Sequence, residues 1–252
     1  MLTPDQKRWF PNAKPTATST LRMFCLPYAG GSASVFRLWP QHLPPRIEVW
    51  AAQPPGRETR FTEPAFSHPG AYLDALMLSV RPLLEEKPFV FFGHSMGAIL
   101  TFELTRRLRA EGLRQPLRLF VSGKDAPHLP AKVDRAHLLP EPEFIDYLRK
   151  LGGTPPEVIA NKELRELVFP ILRRDFQLLH EYKYQAEAPL EVPMRAFGGT
   201  TDHYVAEKDL AAWAEHSRRF LGMRLFPGGH LFLNEQRLPL VQAIEEDLRE
   251  LP

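Results

Sequence analysis

Three observations on this chain predict an α/β architecture with a mostly parallel central sheet, helices on both faces and a helical insertion. Short apolar runs alternate with segments of helical spacing, the pattern of strands and crossover helices. The run at 88–92 is apolar throughout and leads straight into a Gly-x-Ser-x-Gly turn. A stretch of about 65 residues between 124 and 189 breaks the alternation and offers helices only, too long for an ordinary loop.

Residues 1–20 read as an irregular arm that Trp9 and Phe10 pin to the body. A strand is expected at 21–26, a helix at 34–43 and a second strand at 47–52, which Pro54, Pro55 and Gly56 close. Helical spacing at Tyr72, Leu73, Leu76, Leu83 and Leu84 predicts a helix over 69–86. The strand at 88–92 is followed by a helix over 96–110, with Ile99, Leu100, Leu104 and Leu108 on one side and Gly112 at its stop. Strands at 117–121, 192–197 and 223–226, with helices at 206–216 and 238–251, complete the alternation. Within the insertion, placed at about 125–189, helices are expected at 143–150 and 162–182. The connector from Leu151 to Pro156 joins them, and the insertion reads as a cap over the active-site edge of one 252-residue domain.

Composition narrows the function. A net charge of +2 with scattered basic residues argues against a nucleic-acid binder. The runs Arg106-Arg107 and Arg218-Arg219 read as solvated helix faces. No segment approaches the roughly 20 apolar residues that span a bilayer. The first twenty residues lack the apolar core of a secretory signal, and Cys25, the only cysteine, rules out an internal disulfide. A cytoplasmic location and a monomer without a membrane partner are expected. Cys25 lies in an apolar strand and reads as a small core residue.

The chemistry centres on Gly93-His94-Ser95-Met96-Gly97. A buried strand entering this turn and an amphipathic helix leaving it make the nucleophile elbow of the α/β-hydrolase fold, which holds the serine proud of the sheet edge. A serine hydroxyl needs a base. His230 stands in Pro227-Gly228-Gly229-His230 after the last strand, where this fold carries its histidine. The other histidines read as surface residues (His42, His68, His128, His137, His180, His216) or, for His94, as pointing away from the serine. The acid is Asp202, in the loop after the strand at 192–197; Asp125, after the strand at 117–121, is its rival. The oxyanion hole is expected from the amides of Met96 and of Ala29, in the glycine-rich turn Tyr28-Ala29-Gly30-Gly31. No motif for a metal or cofactor is present: no His-Glu-x-x-His, no paired cysteines and no Gly-x-Gly-x-x-Gly.

Six segments together carry a resemblance over nearly the whole chain: Pro27-Tyr28-Ala29-Gly30-Gly31, Pro55-Gly56-Arg57-Glu58-Thr59-Arg60, the elbow, Ser122-Gly123-Lys124-Asp125-Ala126-Pro127, Leu151-Gly152-Gly153-Thr154 and Gly229-His230-Leu231-Phe232. The sequence resembles the type II thioesterases, the discrete proofreading hydrolases of polyketide and nonribosomal peptide synthases. The resemblance implies a triad of Ser95, Asp202 and His230, oxyanion amides from Ala29 and Met96, and a mobile helical lid. It also implies an acyl or peptidyl carrier protein as partner, with an acyl or aminoacyl group on its phosphopantetheine arm as substrate. One departure keeps the acid open: the family usually has a basic residue where this chain has Asp125. Two other readings stand beside this one. The chain is another α/β-hydrolase, such as an esterase or an acyl-CoA or cyclising thioesterase, or it is a non-catalytic carrier-binding protein. The apolar residues Phe169, Leu172, Phe176 and Leu179 line an acyl chamber or, equally, pack the insertion's own helix.

Overall fold

The computed structural model describes residues 2–130 and 135–252. Six strands, β1 (Leu21–Leu26), β2 (Ile47–Ala51), β3 (Phe89–His94), β4 (Leu119–Ser122), β5 (Met194–Gly199) and β6 (Phe220–Phe226), form one sheet in the order β2-β1-β3-β4-β5-β6. Every neighbouring pair is parallel. Parallel neighbours need crossovers, and these are supplied by helices on both faces. The helices are α1 (Pro4–Trp9), α2 (Pro69–Val80), α3 (Met96–Ala110), α4 (Glu141–Leu151), α5 (Pro156–Ala160), α6 (Lys162–Glu181), α7 (Glu207–Ala211), α8 (Phe232–Glu235) and α9 (Arg237–Leu248).

The two-residue period of the strands splits the core into two layers. Phe24, Leu26, Phe89 and Phe91 face α1, α2 and α3, while Met23, Cys25, Val90 and Phe92 face α9 and the short helical turns after β1. All six residues of β1 and of β3 are buried, as central strands covered on both sides must be. A third, smaller cluster of Ala136, Phe144, Leu148, Phe169, Leu172 and Phe176 lies among α4, α6 and the turn at Ala136–Leu138. The helical excursion therefore has a packing centre of its own. The insertion expected at about 125–189 includes residues 131–134, which lie outside the described residues.

Several elements differ from the sequence reading. The arm contains a helix, α1, because Thr3 and Gln6 form a reciprocal capping box around Pro4. The helix expected at 34–43 is instead two 3₁₀ turns, Ala33–Phe36 and Trp39–Gln41; Pro40 lacks the N–H that a continuous ladder requires. Pro82 likewise ends the α-helical part of 69–86 at Val80 and leaves a 3₁₀ turn at Arg81–Leu83. Strand β6 starts at Phe220, three residues before the expected 223; opposite Met194 and Ala196 its register shifts across Gly222, which has a φ of +86°. The short helices α5 and α8 were not anticipated. The second basic run is not on a helix face: Arg218 and Arg219 lie between the turn Ala212–His216 and β6.

Trp9 and Phe10 do anchor the first segment. Trp9 is buried against Tyr72, Phe66 and the Arg60 guanidinium, and Phe10 packs on Phe24 and Trp50. Trp9→Ala should therefore cost about 3–5 kcal/mol of stability, the range for truncating a buried tryptophan, read as a lower midpoint in urea unfolding.

Candidate active site

The elbow comes from a close approach of backbones. Ser95 sits between β3 and α3 with φ +54° and ψ −112°, a conformation that costs a non-glycine residue energy. A Cβ on Gly93 would lie 2.1 Å from the Gly97 carbonyl oxygen, and a Cβ on Gly97 would lie 2.1 Å from the Leu26 carbonyl oxygen. Both positions therefore require glycine. The Ser95 amide donates to the Ser122 carbonyl at 2.7 Å, which ties the strained turn to the end of β4. Ser95 caps α3, so its hydroxyl and the Met96 amide stand at the positive end of that helix.

His230 reaches this serine from the loop after β6. Its Nε2 lies 2.9 Å from Ser95 Oγ, and its Nδ1 lies 2.9 Å from Asp202 Oδ2. Since a carboxylate only accepts, Nδ1 carries the proton and donates it, leaving Nε2 to accept from the serine hydroxyl. The second carboxylate oxygen of Asp202 accepts the amides of Tyr204 at 2.8 Å and Val205 at 3.2 Å. Burial pushes the Asp202 carboxyl up, but the hydrogen bond and charge of His230 together with these amides outweigh it, and its pKa lies below the ordinary value. The two loops meet because Gly199 has no side chain: a Cβ there would lie 2.4 Å from the Gly229 carbonyl oxygen. Asp125 is also buried, but its carboxylate pairs with Lys124.

A cavity of about 640 Å³ opens over Ser95. Its walls include Tyr28 and Ala29, Asp125, Tyr147 of α4, Leu172, Phe176 and Leu179 of α6, and Tyr204. Leu172, Phe176 and Leu179 thus face the cavity, whereas Phe169 packs edge-on against Phe144 inside the helical cluster. In the turn after β1, the Gly31 amide donates to the Tyr28 carbonyl and the Gly30 amide to Asp175. The Ala29 amide has no acceptor among the described residues. No three His, Cys, Asp or Glu side chains cluster as metal ligands among the described residues.

A model of the thioesterase domain matches residues 21–248. The chain belongs to the thioesterase family. It is 40% identical over 242 residues to the gramicidin S biosynthesis protein GrsT of Aneurinibacillus migulanus, across 96% of this chain and 94% of that one. Its fold is similar to RedJ, a thioesterase from the prodiginine pathway of Streptomyces coelicolor, with a TM-score of 0.85 at 31% identity over 96% of this chain and 93% of RedJ. It is also similar to the type II thioesterase BorB from the borrelidin biosynthetic cluster, with a TM-score of 0.79 at 34% identity over 93% and 95% of the two chains. Thioesterases are hydrolases, and the chain is an enzyme acting on thioesters. Among the described residues, no helix of this thioesterase is long and apolar enough to cross a membrane.

The thioesterase contains polar machinery that the sequence did not announce. His94 does point away from Ser95, yet it is fully buried and holds the site from behind. Its Nε2 donates to the His230 carbonyl at 2.9 Å, which leaves Nδ1 to accept from the Ser122 hydroxyl at 2.9 Å. Gly123, with φ +58°, leaves room for the ring, since a Cβ there would lie 2.5 Å from His94 Cε1. Two residues expected at the surface are buried. His216 is buried among Phe102, Trp213 and Tyr184 and bonds His128 at 2.7 Å, because the turn carrying it folds under α3. Arg106 is buried too, paired with Glu103 and Glu187, because α3 is covered there by the segment after α6.

Burial, and then the nearby His230, push the His94 pKa down to about 3. An unfolded histidine titrates near 6.5, so below that pH the unfolded chain binds a proton that the native ring refuses. The His94 contribution is thus complete above about pH 6.5 and is lost as pH falls toward 3. Denaturation midpoints across pH 7 to 4 should therefore fall more steeply for the wild type than for His94→Gln, the difference approaching about 1.4 kcal/mol per pH unit. Parallel curves for the two proteins would contradict the assignment.

Proposed function

We propose that this thioesterase hydrolyses acyl or aminoacyl groups from the phosphopantetheine arm of acyl or peptidyl carrier proteins, clearing stalled or wrongly primed groups from a polyketide or nonribosomal peptide synthase. The observation that carries the reading is the unbroken relay from Asp202 through His230 to Ser95 at the floor of a cavity lined on one side by Leu172, Phe176 and Leu179. The similarity to GrsT and BorB supports the choice of pathway.

In this mechanism Ser95 Oγ attacks the thioester carbonyl while His230 Nε2 takes its proton. Asp202 keeps the imidazole in the required tautomer and stabilises the imidazolium. The amides of Met96 and Ala29 receive the oxyanion, the first with the help of the α3 dipole. The pantetheine thiolate leaves with the proton from His230, giving an acyl-serine. Water then enters, His230 removes its proton, and collapse of the second oxyanion releases the free acid and restores the serine hydroxyl. The helices α4 and α6 act as a lid that covers the acyl group, with Leu172, Phe176 and Leu179 as its apolar lining. Asp202 is favoured over Asp125 as the acid because the Asp125 carboxylate is spent on Lys124.

Ser95→Ala should lower kcat on an acyl carrier protein thioester by about 10⁴-fold or more, and the variant should lose labelling by a fluorophosphonate probe. Asp202→Asn should fall by a comparable factor while Asp125→Asn stays within about tenfold of the wild type. The opposite ranking would transfer the acid role to Asp125. A substrate panel decides the leaving group: kcat/KM should be highest for acyl carrier proteins, lower for the matching acyl-CoA, and lowest for simple esters. An ester preference would make the chain an esterase.

A further inference from the structure

Helix α6 meets the turn after β1 at Gly30. This glycine has φ +81°, and a Cβ on it would lie 2.4 Å from Leu172 Cδ2. Three residues further along α6, on the same side of the helix, stands Asp175. Its Oδ2 accepts the Gly30 amide at 2.7 Å and Arg57 Nη1 at 2.7 Å, and its Oδ1 accepts Arg57 Nη2 at 2.9 Å. Arg57 Nη1 also donates to the Gly31 carbonyl at 3.1 Å, and its Nε donates to the Pro55 carbonyl at 3.2 Å. Two successive residues of the turn, Gly30 and Gly31, are therefore held by one ion pair whose side chains are 4% and 7% exposed.

The segment that carries Arg57 braces the same turn at further points. Gln53 accepts the Ala33 amide at 3.2 Å and donates to the Arg57 carbonyl at 3.1 Å, and Glu58 accepts the Ser32 hydroxyl. Arg57 and Asp175 make no hydrogen bond to Ser95, His230 or Asp202 among the described residues, so the chemistry above does not use them directly. Two charges taken out of water bring little net stability, and apolar residues of similar size often do as well. What apolar residues cannot do is accept the Gly30 amide. The bidentate guanidinium holds the carboxylate at the orientation that amide needs.

We propose that Asp175, oriented by Arg57, is a positioning residue that acts through the backbone: it fixes the Tyr28–Gly31 turn from α6 so that the Ala29 amide points at the oxyanion. The turn and the helix are then one assembly, and the oxyanion hole is complete only while α6 is seated. This rests on the reading of Ala29 as an oxyanion donor and of Ser95 as the nucleophile.

Two double variants of the full chain separate this from a role in stability, because neither leaves a buried charge unpaired. Arg57→Met with Asp175→Asn keeps a side-chain oxygen for the Gly30 amide. Arg57→Met with Asp175→Leu removes it. Each is assayed on an acyl-pantetheine thioester for kcat and KM, and against two analogues: a trifluoromethyl ketone that Ser95 would add to, forming an oxyanion, and an unreactive thioether that only occupies the cavity. The leucine pair should lose about 10²-fold in kcat, the scale of one missing oxyanion donor, with KM within about threefold. Its affinity for the ketone should fall by the same factor while thioether affinity holds. The asparagine pair should recover at least about tenfold of that kcat and of ketone affinity. Equal kcat and equal ketone affinity in the two folded pairs would overturn the proposal. So would a parallel loss of ketone and thioether binding, which marks a general loosening of the cavity. Failure of the wild-type protein to form a ketone adduct at Ser95 would instead overturn the nucleophile reading itself, and the proposal with it.

Discussion

The backbone of Gly97 lies directly on the carbonyl groups of Leu26 and Pro27, nearer than any side chain would allow. That contact brings the first turn of α3 against the end of β1, although the two are separated by about 70 residues of chain. Everything at the site inherits its position from this meeting. The turn after β1 begins at Pro27, so this meeting carries Ala29 to the cavity that Ser95 lines. The order β2-β1-β3-β4-β5-β6 then sets β4 next to β3, with β5 and β6 beyond, and the loops after β5 and β6 approach the serine from the other side. All six strands run in the same direction, so their carboxyl ends form one rim.

Around this rim the polar groups are buried, and each is held by another. His94 supports the carbonyl of His230, Ser122 supports His94 and, through its own carbonyl, the Ser95 amide. Asp202 is clasped by the amides of its own loop. On the opposite side, Arg57 and Asp175 do for the glycine turn what these groups do for the histidine. Such networks work only when every member is satisfied, since an unpaired polar group in this environment costs more than the bond it would have made. The burial of these groups strengthens each of their interactions relative to water.

Much of the scaffold was legible because it rests on local physics. Strands β1 and β3 and helix α3 fell close to their expected bounds: continuous apolar runs of strand length between turn signals allow few alternatives. The capped first helix and the 3₁₀ turns also obey local rules. The capping box of Thr3 and Gln6 starts α1, and Pro40 and Pro82 shorten helical stretches to 3₁₀ turns. Other departures were of a different kind. Arg22 lies inside an apparently apolar strand, yet it is buried over the Trp50 ring and bonded to Glu48 and Glu86, partners 26 and 64 residues away. His216 and Arg106 looked like surface residues because nothing near them in the chain tells which segment will cover them.

From the chain alone came the type of fold, the elbow with Ser95 at its apex, and His230 and Asp202 as candidates by their place after the last two strands. Glycine spacing, apolar periodicity and chain order are properties of neighbours in sequence, and a linear reading has access to them. It favoured Asp202 over Asp125 but left Asp125 as a rival, since both follow strands of the same sheet. Nor did it reveal that His94 would brace His230 from behind, or that a carboxylate on α6 would take an amide 145 residues away. Those outcomes depend on distances of about 3 Å between remote segments, where a hydrogen bond is made or lost. Only the packed chain brings such distances into being.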